Sequence, residues 1–123
     1  MNSLTGRDLT NEFNFNALTT DGRLTNVVRN VASAGTRKIY GYLLHNPNGS
    51  ESFMQVFYKP AIDVALGTTA PDLIVKISAN GSVAWDFSDP RGKGATGMSV
   101  AATTTDTGST ALTIGLSGVV FYV

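Results

Sequence analysis

Residues 72–87 read DLIVKISANGSVAWDF and carry the most regular pattern in the chain. In the first half, apolar residues alternate with more polar ones, and the apolar set is Leu73, Val75, Ile77 and Ala79. The dipeptide Asn80-Gly81 then tolerates the positive φ angles of a tight turn, and the alternation resumes at Val83, Trp85 and Phe87. A period of two is typical of strands with one buried face, so this segment predicts two β-strands joined as a hairpin.

Shorter apolar runs extend the β prediction on both sides of this segment. Residues 37–45 have apolar side chains on both faces, which is typical of a central strand covered on two sides. The turn-rich stretch 46–50 follows, and residues 53–59 are predicted to pair back as the second half of a hairpin. Further strands are predicted at residues 24–32, 98–103 and 116–123. The last of these is strongly apolar, so we expect it to be buried in a sheet or at a subunit contact.

The composition of the chain argues against several classes of function. The chain has 9 Lys and Arg against 9 Asp and Glu, so its formal net charge is zero. A protein that binds nucleic acid by neutralising phosphates needs a basic surplus, so nucleic acid is not an expected partner. No apolar run approaches the roughly 20 residues of a membrane-spanning helix, and the first residues lack the pattern of a signal peptide, so no membrane partner is expected. The absence of Cys excludes disulfides and thiolate chemistry.

Few residues are of the types and spacing that form a catalytic or metal-binding site. His45 is the single His, and because no Gly-x-Ser-x-Gly motif accompanies it, we expect a structural or surface role. One His and no Cys leave no ordinary zinc ligand set, and the spacing of Asp86, Asp89 and Asp106 does not fit a calcium loop. We therefore predict no catalytic residue, no metal and no cofactor, and a protein that is not an enzyme.

Trp85 leaves two interpretations open. Its alternation with Val83 and Phe87 favours packing in the core. An indole on a sheet surface can instead stack on a sugar ring, and Tyr40 and Tyr42 would be its partners in such a site.

Residues 1–22 differ in character from the rest, because scattered apolar side chains lie in a polar background that ends at Asp21-Gly22. One interpretation is an edge strand with a frayed tail, and the other is an arm that packs on another subunit. We divide the chain into an N-terminal arm at 1–22 and a β-sandwich domain at 23–123. The residues predicted to contact a partner are Leu4, Arg7, Leu9, Phe13 and Phe15 on the arm, and Arg91 on a polar loop.

From about Arg37 onward, the order of the elements resembles the small jelly-roll-like β-sandwich virion proteins of tailed bacteriophages. The matching elements are Ile39–Asn46, Phe53–Lys59, the turn Gly67-Thr68-Thr69-Ala70-Pro71, Leu73–Gly81, Met98–Thr105 and Gly118–Tyr122. Two features depart from the family. Residues 89–98 replace its usual Gly-Ile-x-Phe segment, and the first 36 residues match none of its elements.

The resemblance implies an all-β protein, an antiparallel jelly-roll-like β-sandwich with an extended N-terminal arm. It also implies a non-enzymatic structural protein of the virion, and we expect a capsid cement or decoration protein. Such a protein is made in the cytoplasm of the bacterial host and lies on the capsid surface. Its expected partners are further copies of itself, in a trimer, and the major capsid protein. The alternative is a carbohydrate- or receptor-binding module of a head fibre or of a tail or baseplate component.

Overall fold

The structure, a computed structural model, describes residues 11–18, 22–91 and 96–123, and for residues 87–91 and 96 it describes the backbone. The described strands are β1 Asn11–Asn14, β2 Arg29–Thr36, β3 Ile39–His45, β4 Ser52–Phe57, β5 Leu73–Ile77, β6 Ser82–Arg91, β7 Thr96–Thr103 and β8 Ser117–Tyr122. Two 3-10 helices, Phe15–Ala17 and Ala61–Asp63, have three residues each. No helix in the described ranges is long and apolar enough to cross a membrane.

The strands form two four-stranded antiparallel sheets. Sheet A has the order β1-β8-β3-β6, and sheet B has the order β2-β7-β4-β5. The first strand thus pairs with the last, the second with the seventh, the third with the sixth and the fourth with the fifth, and these pairs alternate between the two sheets. This arrangement is that of an eight-stranded jelly roll. The prediction of an all-β, antiparallel sandwich of jelly-roll type is confirmed.

Both predicted hairpins are wrong, because the strands of each lie in different sheets. β5 belongs to sheet B and β6 to sheet A, and β3 and β4 are separated in the same way. In a jelly roll the short turns cross from one sheet to the other, and β4 pairs instead with β5 across the connection at residues 58–72. An apolar strand face points into the core in either arrangement, so alternation alone does not distinguish a hairpin from such a crossing turn.

The two crossing turns pack on each other at one end of the sandwich. The Asn46 N–H donates to the Gly81 carbonyl at 2.8 Å, and the Asn80 N–H donates to the Asn48 carbonyl at 2.9 Å. Asn80 has a φ of 54°, in the left-handed region that Asn tolerates better than most residues. The tight turn predicted at residues 80–81 is therefore present, although it connects two sheets.

The core lies between the sheets and takes in the beginning of the described chain. β1 pairs with β8 as an edge strand, from Asn11 opposite Tyr122 to Asn14 opposite Val119. Phe15 is completely buried in the core. Residues 11–18 therefore contribute to the sandwich, and residues 11–14 form the edge strand of the first interpretation. The other core residues include Leu24, Ile39, Leu44, Met54, Val56, Ile77, Met98, Val100, Leu116 and Val120.

Candidate functional site: the outer face of sheet A

The centre of the outer face of sheet B is covered by loops of the same chain. Five outward-pointing side chains on its central strands β4 and β7 are completely buried: Gln55, Phe57, Ser99, Ala101 and Thr103. Ile74 on the edge strand β5 is 39% exposed. The β4–β5 connection reaches this face at Lys59, whose carbonyl accepts a hydrogen bond from Ser99 Oγ at 2.9 Å. The β7–β8 loop reaches it at Gly108, whose carbonyl accepts from Gln55 Nε2 at 3.0 Å. The centre of this face is thus closed by the chain itself.

The outer face of sheet A remains accessible in the described part of the chain. Its centre, which we call the apolar face, consists of Leu43, Ala84, Val119 and Phe121, and Gly41 in the same face is buried. Leu43 lies on the central strand β3, opposite Ala84 on β6 and Val119 on β8, yet 49% of its surface is exposed. The prediction that residues 37–45 form a central strand is confirmed. We predicted that both faces of this strand are covered. The core side is covered by the other sheet, whereas Leu43 on the outer side is half-exposed.

Polar groups flank the apolar face at both ends. At one end, His45 and Ser82 are register partners with Nδ1 and Oγ 2.8 Å apart, and Ser117 lies opposite His45 on β8. At the other end, Glu12 on β1 and Asp86 on β6 are exposed carboxylates. The surface therefore has an imidazole and hydroxyl groups at one end and acidic groups at the other.

Trp85 adjoins the apolar face. It borders a depression of about 270 Å³, whose other lining residues are Leu43, Ala84, Asp86 and Phe121. The indole is 59% exposed, so the interpretation that Trp85 packs in the core is wrong. β6 is an edge strand of sheet A, and a side chain at an edge has neighbouring strands on one side only. In the sequence, Trp85 alternates regularly with Val83, and this pattern does not indicate that Trp85 is exposed while Val83 is half-buried.

The two tyrosines predicted as sugar-stacking partners of Trp85 are more enclosed. Tyr42 is the register partner of Trp85 and packs against the core, and burial raises the pKa of the Tyr42 phenol above its usual value of 10.0. Tyr40 is half-buried at a register irregularity between Ile39 and Gly41. The indole is therefore the most exposed ring of the three.

The residues predicted to contact a partner do not form one surface in the described chain. Phe15 is buried among core residues of its own chain, so it is not available to another subunit, as the arm interpretation required. Phe13 is half-buried, and its ring packs edge-on against Phe15 with centroids 5.8 Å apart. The backbone of Arg91 pairs with Ile39 at the end of β6. Leu4, Arg7, Leu9 and the side chain of Arg91 lie outside the described residues.

A buried polar cluster that sequence reasoning missed is centred on Asn46, which is completely buried. Its Nδ2 group donates to the carbonyl oxygens of Ser50, Ile77 and Ser78, at 2.9, 3.2 and 3.1 Å. Its Oδ1 accepts from the Asn48 N–H, the Asn48 Nδ2 and the Ser52 Oγ, at 3.0, 2.9 and 2.9 Å. Asn48 also bonds the Ile114 backbone through both side-chain atoms. The cluster holds three loops together at the His45 end of sheet A.

Across residues 11–18, 22–91 and 96–123, no three His, Cys, Asp or Glu side chains lie close enough to hold a metal ion. His45 and Ser82 form an exposed hydrogen-bonded pair at the end of the apolar face. The feature that stands out is therefore the apolar surface itself.

Comparisons with known proteins give no further identification. No family model, curated protein or solved structure matches the chain. The class that the structure defines is a jelly-roll β-sandwich, in which the chain's own loops cover the centre of one outer sheet face and leave apolar residues accessible on the other across the described residues.

Proposed function

We propose that this protein is a non-enzymatic structural protein of a tailed-bacteriophage particle and acts there as capsid cement. The observation that carries the proposal is the apolar face of sheet A, where Leu43 of a central strand is half-exposed. Contiguous apolar surface on a soluble domain marks a site of association. The order of elements from Arg37 onward, which resembles phage virion proteins, supports the assignment to a virion.

The physical chemistry of the chain suits a protein that works by association. A sandwich with a buried core on one side of each sheet is a rigid body, so packing its apolar face on a partner orders few additional side chains. Apolar area removed from water contributes roughly 25 cal/mol per Å² before entropy losses. With a formal net charge of zero, long-range electrostatic attraction contributes little to that association.

The proposed partners are further copies of the chain and the major capsid protein, and the proposed location is the capsid surface. The apolar face is assigned to contacts between copies. The capsid contact through Leu4, Arg7, Leu9 and Arg91 stays a prediction, as does the trimer.

A second candidate function is favoured by one observation, the 59% exposure of Trp85 on the edge strand β6. An exposed indole is suited to stack on a sugar ring, as in a carbohydrate-binding module of a fibre. A glycan array with the wild-type protein and a Trp85→Ala control tests this candidate. Sugar binding that depends on Trp85 supports the fibre module, and its absence supports cement.

The proposed function is tested on purified particles of the phage that encodes the chain. We expect peptide mass spectrometry to detect the chain in a fixed ratio to the major capsid protein. Immunogold labelling with antibodies against the recombinant chain should decorate the heads. Absence of the chain from purified particles would contradict the proposal, and labelling confined to tails would reject the cement role.

A further inference from the structure

We infer that Asn80 is a site of spontaneous covalent modification, at which the side-chain amide is converted through a cyclic succinimide to aspartate and isoaspartate. The reaction requires an accessible Asn side chain and a following residue whose backbone nitrogen is sterically open. Glycine satisfies the second condition best, because it has no side chain. The inference is independent of the proposed function, since the only reactants are the chain and water.

The Asn-Gly pair occurs twice in the chain, at Asn48-Gly49 and at Asn80-Gly81. One pair lies in each of the two turns that cross between the sheets, and the Asn80 N–H donates to the Asn48 carbonyl across them. The reacting residues are therefore the same at both sites, and only their structural surroundings differ.

The side chain of Asn80 is accessible for this reaction. Asn80 is exposed, and across the described residues its side-chain amide makes no hydrogen bond. The Asn80 Cγ atom is therefore able to approach the Gly81 nitrogen. That nitrogen donates to the Ser78 carbonyl oxygen at 2.9 Å, and this bond must open before the nitrogen reacts. Local opening costs little free energy where a turn is exposed to solvent.

The side chain of Asn48 is held in place. It is buried, its Nδ2 donates to Asn46 Oδ1 at 2.9 Å and to the Ile114 carbonyl oxygen at 2.7 Å, and its Oδ1 accepts from the Ile114 N–H at 2.9 Å. A Cβ atom added at Gly49 would meet no atom within 4 Å, so steric hindrance at this glycine does not distinguish the two sites. The side-chain hydrogen bonds are what protect Asn48.

The proposed reaction balances without an oxidant or a cofactor. The Gly81 nitrogen forms a bond to Asn80 Cγ, the bond from Cγ to Nδ2 breaks, and Nδ2 leaves as ammonia with the proton that the Gly81 nitrogen loses. Water then opens the succinimide ring at one of its two carbonyl carbons. Attack at Cγ gives aspartate. Attack at the backbone carbonyl carbon of Asn80 gives isoaspartate, in which the main chain runs through Cγ.

The modification changes the contact between the two crossing turns. Both products add a carboxylate, and isoaspartate also lengthens the main chain by one carbon atom. The added atom lies between the Asn80 N–H, which donates to the Asn48 carbonyl at 2.9 Å, and the Gly81 carbonyl, which accepts from the Asn46 N–H at 2.8 Å. These two hydrogen bonds cannot both keep their geometry when the backbone between them is longer, so we expect isoaspartate to weaken this contact.

Peptide mapping of the full chain by mass spectrometry tests the inference. The folded protein is incubated in a mildly alkaline buffer, the loss of amide is followed at both Asn-Gly pairs, and isoaspartate is detected by enzymatic methylation. We expect Asn80 to convert more than about tenfold faster than Asn48, because several buried hydrogen bonds must break before Asn48 reacts. The same chain unfolded in urea is the matched control, in which both pairs should convert at similar rates. Equal rates in the folded protein, or no conversion at Asn80 while the unfolded chain reacts, would overturn the inference.

Asn80→Asp separates the effect of the charge from that of the longer main chain. This variant carries the carboxylate on a backbone of normal length, and Asp tolerates a positive φ as Asn does. The urea midpoint of the variant should stay close to that of fresh wild-type protein, and wild-type protein enriched in isoaspartate should have a lower midpoint than either. Equal midpoints for the variant and the isoaspartate form would contradict the predicted weakening of the turn contact.

Discussion

Asn46→Ala removes the side chain that joins the two crossing turns at the His45 end of sheet A. The substitution removes six hydrogen bonds. Four of them are buried, and their partners are the Ile77 carbonyl, the Asn48 N–H, the Asn48 Nδ2 and the Ser52 hydroxyl. Water can replace Asn46 more readily at the other two acceptors, the carbonyl oxygens of Ser50 and Ser78, which are part-buried.

The expected cost follows from the buried partners. A net contribution of about 1 kcal/mol for each of the four buried bonds gives about 4 kcal/mol, on the order of half the stability of an ordinary small domain. Urea unfolding followed by circular dichroism measures this loss as a lower midpoint with an unchanged slope.

Asn30→Ala is the matched control, because Asn30 is exposed and its Oδ1 accepts one bond, from the Ala61 N–H at 2.8 Å. That variant should lose less than about 1 kcal/mol. Equal midpoints for Asn46→Ala and Asn30→Ala would refute the structural role assigned to the cluster.

Three further predictions concern the positions that shape sheet A. Gly118 has a φ of 138°, and an added methyl group would collide with the Leu43 carbonyl oxygen, so Gly118→Ala should cost at least about 3 kcal/mol in thermal unfolding. Gly49→Ala, which meets no neighbouring atom within 4 Å, should change the stability by less than about 0.5 kcal/mol, and equal effects would contradict this account of Gly118. Phe15→Ala should cost about 3–5 kcal/mol in urea unfolding because Phe15 is completely buried, and a loss under about 1 kcal/mol would argue against its place in the core. Burial raises the pKa of the Tyr42 phenol in the folded protein, so the unfolded chain loses this proton at a lower pH than the folded protein does. The free energy of unfolding should therefore decrease as the pH rises above about 10. Tyr42→Phe should show a smaller fall in the urea midpoint between about pH 9 and about pH 11, and an identical fall would exclude Tyr42 as its source.

The positions of most strands could be predicted from the sequence, but their partners could not. The strand predicted at residues 24–32 lies at Arg29–Thr36. The alternation at residues 72–87 reports that each strand has one buried face, which is why β5 and β6 are found where they were expected. It contains no information on whether Asn80-Gly81 turns the chain within a sheet or across the core. The position of the turn was right, and the pairing was wrong.

The candidate surface was also only partly visible in the sequence. The apolar residues on both faces of residues 37–45 predicted that both faces of this strand are covered. The half-exposed Leu43 shows that the described chain covers one of them. The exposure of Trp85 depends on β6 being an edge strand, which is a property of the whole topology. Asn46 looked like ordinary turn chemistry, because the carbonyl groups it binds at Ile77 and Ser78 are distant in sequence.

A reconstruction of the purified particle at a resolution that shows side chains tests the role of the apolar face most directly. We predict that a neighbouring protein subunit covers the outer face of sheet A and buries Leu43, which is half-exposed in the single chain. A particle that contains the chain with Leu43 and Phe121 exposed to solvent would contradict the assignment of this face to association.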